Sequence, residues 1–357
     1  MRLLLVTNDY PPTPGGIQQY LGSLVAAHQG DVLVVGPANG DASPDPNIVR
    51  HPRRTYMLPT RSTGAWIVEA ARGFEPEAVV FGAPHPLPWL ASDLKEALGV
   101  PVGVICHGAE ITIPAAIPGL RSLLRATLLR SDVVFAVSHY TARRVGRLLK
   151  RDVTVLGGGV DVEVFRPPAS REAGRLPVVG CISRFVPRKG QHRLIAAAAE
   201  LRRAGTPVQL LFVGRGRTEE ALRRLAARLG VAARFDVDVP WSRLPDLYGE
   251  MDVFCVPCRT RWAGLEVEGL GLVFLEAAAT GLPVLAGDSG GAPETVLPGE
   301  TGYVVHSVND IVEALRMLLD DPVRARRMGD RGRDRVASEF TWDRVAARLV
   351  AGLAATR

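Results

Sequence analysis

The chain has 357 residues, 47% hydrophobic and 22% charged, with a formal net charge of +6. At ~100–200 residues per domain this length predicts two cores of ordinary size, and the composition excludes a mostly disordered chain, a collagen-like repeat and a small disulfide scaffold. No run of 18 apolar residues is present to span a membrane, and Met1-Arg2-Leu3-Leu4-Leu5-Val6 meets polar Thr7-Asn8-Asp9 too soon for a signal peptide, so a cytoplasmic protein is expected.

Short apolar runs alternate with helical patterns along the whole chain. Strands are predicted at Leu3–Val6, Asp31–Val35, Ala78–Phe81, Val102–Ile105, Val133–Val137 and Val153–Leu156. A second set is predicted at Val178–Ile182, Val208–Val213, Val253–Val256, Pro283–Ala286 and Gly302–Val305. Between them lie helical patterns such as Ile17–His28, Arg121–Leu129, His192–Ala204, Thr218–Leu229 and Ile311–Leu319. Unalternated Val/Ile/Leu runs between helices indicate strands buried on both faces of a parallel sheet. The predicted fold is therefore α/β, with two doubly wound Rossmann-like domains. Proline and small residues in Phe165-Arg166-Pro167-Pro168-Ala169-Ser170 predict the boundary, giving domains 1–166 and 170–340. A final helix, from about Trp342 to Leu353 within 341–357, is placed to return to the first domain.

Ligands of open parallel sheets bind beyond the carboxyl ends of the strands, so motifs there carry the chemistry. Pro14-Gly15-Gly16-Ile17-Gln18 follows the first strand, and its glycines let a backbone approach an anion at a helix N-terminus. His107, in Cys106-His107-Gly108-Ala109-Glu110, directly follows another strand, whereas His85 among prolines reads as a loop residue. Residues 121–151 hold Arg121, Arg125, Arg130, Arg143, Arg144, Arg147, Lys150 and Arg151 against Asp132 alone, a charge that suits an anionic partner.

In the second domain, Ser183-Arg184-Phe185-Val186-Pro187-Arg188-Lys189-Gly190 follows a strand, and Arg184 with Lys189 can face a diphosphate. Arg188 reads as a solvated loop residue. Glu268-Gly269-Leu270-Gly271 precedes an apolar helix in which Glu276 has no cation three or four residues away. A buried Glu276 therefore needs a partner, and a ribose diol would supply two hydrogen bonds. Glu268 is placed to accept from sugar hydroxyls, and the amides of Leu270 and Gly271 to hold phosphate. Asp288-Ser289-Gly290-Gly291-Ala292-Pro293-Glu294 reads as another strand-to-helix turn. Cys106, Cys181, Cys255 and Cys258 read as reduced, buried small hydrophobes, since the single CxxC has no second pair for zinc. The dinucleotide GxGxxG and P-loop fingerprints are absent.

Together the Glu-x7-Glu pair Glu268 and Glu276, Arg184 with Lys189, and Gly158-Gly159-Val160-Asp161 resemble the retaining GT-B glycosyltransferases of the family 4 type. The resemblance spans essentially the whole chain. The runs Asn8-Asp9-Tyr10-Pro11-Pro12, Gly15-Gly16-Ile17-Gln18 and Gly264–Gly271 are most similar to actinobacterial GDP-mannose-dependent phosphatidylinositol (monomannoside) α-mannosyltransferases. What the resemblance implies is a GDP-mannose donor on the second domain, an anionic lipid acceptor on the first and transfer in a cleft between them. Arg184 and Lys189 would bind the donor diphosphate, Glu276 the ribose, and Glu268 with Gly269, Leu270 and Gly271 the sugar and phosphate. Gly15 and Gly16 would lie at the phosphate and His107 near the reacting carbon, with His107, Arg184, Lys189 and Glu268 forming the catalytic set. Asp9, Tyr10 and Gln18 would contact the acceptor. No cofactor and no metal are expected, because in the family cationic side chains and helix N-termini take the place of a metal.

The family often has Phe-x-Gly before Pro240, where this chain reads Phe235-Asp236-Val237-Asp238-Val239, so the choice of guanine or uracil is less firmly implied than the fold. The alternatives are a UDP-sugar donor with a soluble acceptor, and a nucleotide-sugar epimerase. A nucleic-acid partner is not expected. The expected location is the cytoplasmic face of the plasma membrane, reached peripherally through the arginines of 121–151 and through Arg50, Arg53, Arg54 and Arg61.

Overall fold

The computed structural model describes residues 1–38, 45–169 and 174–356. Two compact units are present, one of residues 1–159 with 342–357 and the other of residues 160–341. The sheet of the first unit contains β1 (Leu3–Val6), β2 (Val32–Gly36), β3 (Ile48–Arg50), β4 (Ala78–Phe81), β5 (Val102–Cys106), β6 (Val133–Ala136) and β7 (Thr154–Val155). Its order is β3-β2-β1-β4-β5-β6-β7, with every pair parallel. The sheet of the second unit contains β8 (Val178–Ile182), β9 (Gln209–Val213), β10 (Ala233–Asp236), β11 (Val253–Val256), β12 (Val284–Gly287) and β13 (Gly302–Val305). Its order, β10-β9-β8-β11-β12-β13, is again parallel throughout.

The expected doubly wound α/β architecture is thus found in both units. Every residue of β1, β2, β4, β5 and β6 is buried, which is why those segments read as unbroken Val/Leu/Ile runs. Two strands escaped the sequence pattern, β3 and β10. Both are sheet edges, and their sequences, Ile-Val-Arg and Ala-Arg-Phe-Asp, are short and part exposed. In each sheet the strand order reverses beside the first strand, between β1 and β4 and between β8 and β11. Loops diverge there and leave the crevice where doubly wound sheets take their ligands.

The helix Trp342–Ala354 packs on the first unit. Arg348 donates to the Leu156 carbonyl at 2.8 Å, and Trp342 stands edge-on to Tyr20 at 5.2 Å. Gly352 lies so close to Phe135 that a Cβ there would sit 2.5 Å from its ring.

The division between units falls at Gly159/Val160, not in the proline-rich segment. Residues 160–166, expected in the first domain, pack with the second. Val160 donates to the Phe340 carbonyl at 2.8 Å, and Arg333 donates to the carbonyls of Val162 and Phe165, each at 3.1 Å. The Phe165 ring meets Trp241 and Tyr248 at 5.7 and 5.6 Å. Ser170, the end of the expected boundary, lies outside the described residues. All four cysteines are free and buried.

Candidate functional site

In the second unit, the loop after β8 and the loop after β11 are pressed together at the sheet's switch point. Gly190 adopts φ 74°, and a Cβ on it would lie 2.2 Å from the Pro257 carbonyl oxygen, so only glycine lets the two loops close. Gly290, at φ 57°, makes the same approach to the Glu268 carbonyl, at 1.9 Å. The loop after β12 thereby seats Glu268 from behind, and Ser289 Oγ accepts from its amide at 3.1 Å.

Two cations converge on one carboxylate oxygen in this nest. Arg188 Nη1 lies 2.5 Å from Glu268 Oε2, and Lys189 Nζ lies 2.7 Å from the same atom. Arg188 is buried, at 8% exposure, which corrects its reading as a solvated loop residue. The short turn Pro187–Lys189 ends at left-handed Gly190 and directs Arg188 toward Glu268 and Glu266, partners far along the chain that local sequence does not reveal. Burial raises the Glu268 carboxyl, but Lys189 and then Arg188 outweigh it and hold the group down at about 2. Glu268 is therefore ionised at neutral pH. Its Oε1 has no protein partner among the described residues.

Arg184, expected beside Lys189, is exposed on the same loop, and its guanidinium makes no ion pair among the described residues. Its carbonyl is tied to the Gln191 side chain at 2.9 Å, so the loop is braced while the charge remains outward.

The helix Leu272–Ala279 begins after Gly271, as the sequence suggests. It carries Glu276 into the interior, and the partner that no nearby residue supplies is Tyr248, whose hydroxyl donates to Oε2 at 2.7 Å. Burial pushes the Glu276 carboxyl up to about 7, with the Tyr248 hydrogen bond opposing the rise. Asp288–Glu294, expected to open a further helix, instead leads into a single 3-10 turn, Ala292–Thr295. In the segment before Pro240, Asp238 takes φ 51°, a left-handed conformation that short polar residues tolerate.

In the first unit, the loops after β1, β4 and β5 meet. Gln18 Nε2 donates to Asp9 Oδ1 at 2.8 Å. A Cβ on Gly15 would fall 2.1 Å from Gln18 Oε1, whereas one on Gly16 would meet nothing within 4 Å. His107 is buried, with Nε2 2.8 Å from the Gly82 carbonyl. A carbonyl only accepts, so Nε2 carries a proton. Tyr20 stands edge-on to the imidazole at 5.2 Å. Burial raises the Asp9 carboxyl, with His107 opposing, Glu110 adding and His85 opposing, so these groups share one electrostatic neighbourhood. Tyr10 is not brought to it. Its ring is buried, 5.8 Å from the Arg50 guanidinium.

The basic stretch divides. On the helix Pro118–Leu128, Arg121 and Arg125 are exposed, while Leu124 and Leu128 join the core. Arg130 is stacked on Trp89 at 4.1 Å. Arg125 Nε donates to the Leu148 carbonyl at 3.2 Å, and beside these two arginines Ile113, Ile117, Leu120 and Leu123 are each close to half exposed. Among the described residues, no helix is long and apolar enough to cross a membrane, and no three His, Cys, Asp or Glu side chains gather as metal ligands.

Of the residues that build this geometry, Tyr248 was not read from sequence, Ser289 was read only as part of a turn, and Arg188 was read as solvated. Arg188 had one signal, its place next to Lys189.

The family described as glycosyl transferases group 1 matches residues 165–335, and glycosyltransferase family 4 matches residues 14–164. The chain is similar to the GDP-mannose-dependent monoacylated alpha-(1-6)-phosphatidylinositol monomannoside mannosyltransferase of Corynebacterium glutamicum, 40% identical over 98% of this chain and 96% of that protein. It is 42% identical to the GDP-mannose-dependent alpha-(1-6)-phosphatidylinositol monomannoside mannosyltransferase of Mycobacterium tuberculosis, over 98% of this chain and 97% of that protein. Among solved structures, the sucrose-phosphate synthase of Thermosynechococcus elongatus shares the fold, with a TM-score of 0.78 at 23% identity over 98% of this chain and 97% of that one.

Proposed function

The chain belongs to the glycosyltransferases of family 4 and group 1, and on that premise we propose that it moves mannose from GDP-mannose to a phosphatidylinositol mannoside. The observation that carries this reading is the 40–42% identity, over nearly the full length of both chains, to relatives bearing that donor and acceptor in their names. The two strand-end clusters support it.

In this reading the donor lies on the second unit. Arg184, exposed and unpaired, and Lys189 face the diphosphate. The amides of Gly269, Leu270 and Gly271 at the mouth of helix Leu272–Ala279 add their N–H groups. Glu276 receives the ribose hydroxyls and Glu268 those of the mannose. Breaking the bond from the anomeric carbon to the diphosphate leaves an oxocarbenium-like sugar and places negative charge on GDP. Arg184, Lys189 and the helix amides stabilise that charge without help from a metal. The acceptor hydroxyl attacks on the face the diphosphate leaves, with retention, and its proton passes to the departing phosphate. On the first unit, His107, Gly15 and Gly16 stand with Asp9 and Gln18, and this cluster orients the acceptor.

The acceptor sits in a bilayer, so the protein meets it from the surface. Arg121 and Arg125, beside exposed Ile113, Ile117, Leu120 and Leu123, offer cations for an anionic leaflet and apolar side chains for its interface. The test is incubation of the purified chain with GDP-mannose and vesicles carrying phosphatidylinositol monomannoside, read by mass spectrometry. One added hexose per lipid and released GDP are expected. Transfer only from UDP-sugars, or only to soluble acceptors, would refute the reading.

A further inference from the structure

Lys189 is asked to do two things in the reading above, and in the nucleotide-free chain it is already engaged. Its ammonium is paired with Glu268 at 2.7 Å. An anionic diphosphate drawing that ammonium away would weaken the hold on the carboxylate just as it is needed to receive a sugar hydroxyl. The second cation resolves the conflict. Arg188 reaches the same oxygen at 2.5 Å from a buried position, and a guanidinium does not give up its proton.

Resting on the proposed donor role, we propose that Arg188 is a positioning residue: it anchors Glu268 through Oε2, freeing Lys189 to turn toward the donor diphosphate while Oε1 accepts from the donor sugar. Three details support it. Both cations use Oε2, so Oε1 stays open. Arg188 is itself fixed, since its carbonyl accepts from the Arg259 amide at 2.8 Å and its Nε lies 3.9 Å from Glu266 Oε1. Glu266 in turn has its own cation, Arg261 at 3.1 Å, so it does not compete fully for Arg188. The ammonium of Lys189 carries three protons, of which Glu268 uses one. The charged and titratable groups facing Glu268 are thus Arg188 and Lys189, with Glu266 and Arg261 behind Arg188 and the buried Cys258 thiol alongside.

The full chain is assayed with GDP-mannose and acceptor vesicles as wild type, Arg188→Met, Arg188→Lys, Glu268→Gln and the Arg188→Met/Glu268→Gln pair. Alongside, the Glu268 carboxyl is titrated by carbon NMR in nucleotide-free protein. Arg188→Met should raise the carboxyl midpoint and lower kcat/KM roughly 10–100-fold at neutral pH, because the still-ionised carboxylate loses the cation that holds it in place. Arg188→Lys, which keeps a cation beside Oε2, should restore most of the rate and bring the carboxyl midpoint back down. Once Glu268 is Gln, adding Arg188→Met should change kcat/KM by less than about threefold, because Arg188 acts through that carboxylate. An unmoved carboxyl midpoint, or losses that multiply in the pair, would overturn the proposal. If Arg188→Met does not fold, the comparison of Glu268→Gln with the pair decides on the same terms. If the wild type transfers nothing from GDP-mannose, the functional reading fails, and the carboxyl titration alone decides whether Arg188 anchors Glu268.

Discussion

Glu276→Gln should stabilise the protein and weaken its hold on the donor. In the fold the carboxyl is 8% exposed with one hydrogen-bond donor, and its pKa is raised from 4.5 to about 7. The folded state therefore binds the extra proton between those values, so stability falls as pH rises through that window. The cost is absent below the lower value and complete above the upper one. At 1.36 kcal/mol per pH unit the gap is worth about 3 kcal/mol. Gln keeps an oxygen for the Tyr248 hydroxyl and never ionises. Calorimetric unfolding without nucleotide should show the variant stabilised at pH 8 by up to about 3 kcal/mol, roughly 6–12 °C in the melting of a unit this size. At pH 5 the gain should shrink below about 1 kcal/mol. GDP affinity should fall at the same time, since an amide accepts less strongly from a ribose diol than a carboxylate does. Equal gains at pH 5 and pH 8, or a loss at pH 8, would refute the argument.

Arg184→Ala should lower turnover roughly 10²–10³-fold with an unchanged melting temperature, because the lost cation faces developing charge from an exposed position. Near-native steady-state rates would remove it from the diphosphate. Gly16→Ala separates substrate from scaffold: a Cβ meets nothing within 4 Å, so melting should be unaffected, and any rise in the Michaelis constants reports a ligand in that space. Full activity would show the space unused. Transfer should persist in EDTA, and a sharp loss would reveal a metal requirement. Flotation with phosphatidylinositol vesicles should fall as salt rises and fall again in the Arg121→Ser/Arg125→Ser variant, with each cation worth about 1 kcal/mol near an anionic leaflet. Binding indifferent to lipid charge would count against a membrane role for this face.

The core strands were legible because burial on both faces leaves only apolar side chains to choose from, as in Leu3–Val6 and Val178–Ile182. Edge strands β3 and β10 lacked that constraint and were missed. Glu276 was legible as a carboxylate out of place in an apolar helix, but its partner was not, since Tyr248 enters from a different element. Arg188 was misread for a related reason. A cation in a loop beside proline and lysine is ordinarily hydrated, and only the closure at Gly190 turns it inward. Chemistry-bearing residue types were thus readable one at a time, whereas their pairing depends on loops that the fold alone brings together.

The helix Trp342–Ala354 has a consequence for how the protein is made. The first unit is built from both ends of the chain, with the second unit as a continuous insert. A ribosome that has released residue 159 must add roughly 180 more before that helix emerges, on the order of 10–40 s at ~5–20 residues per second. Throughout that interval the surface around Phe135 and Tyr20 that the helix later covers is open. The second unit, needing no distant segment, is free to fold first. Nascent chains stalled before residue 342 should accordingly hold a protease-resistant second unit and a first unit that still binds chaperones.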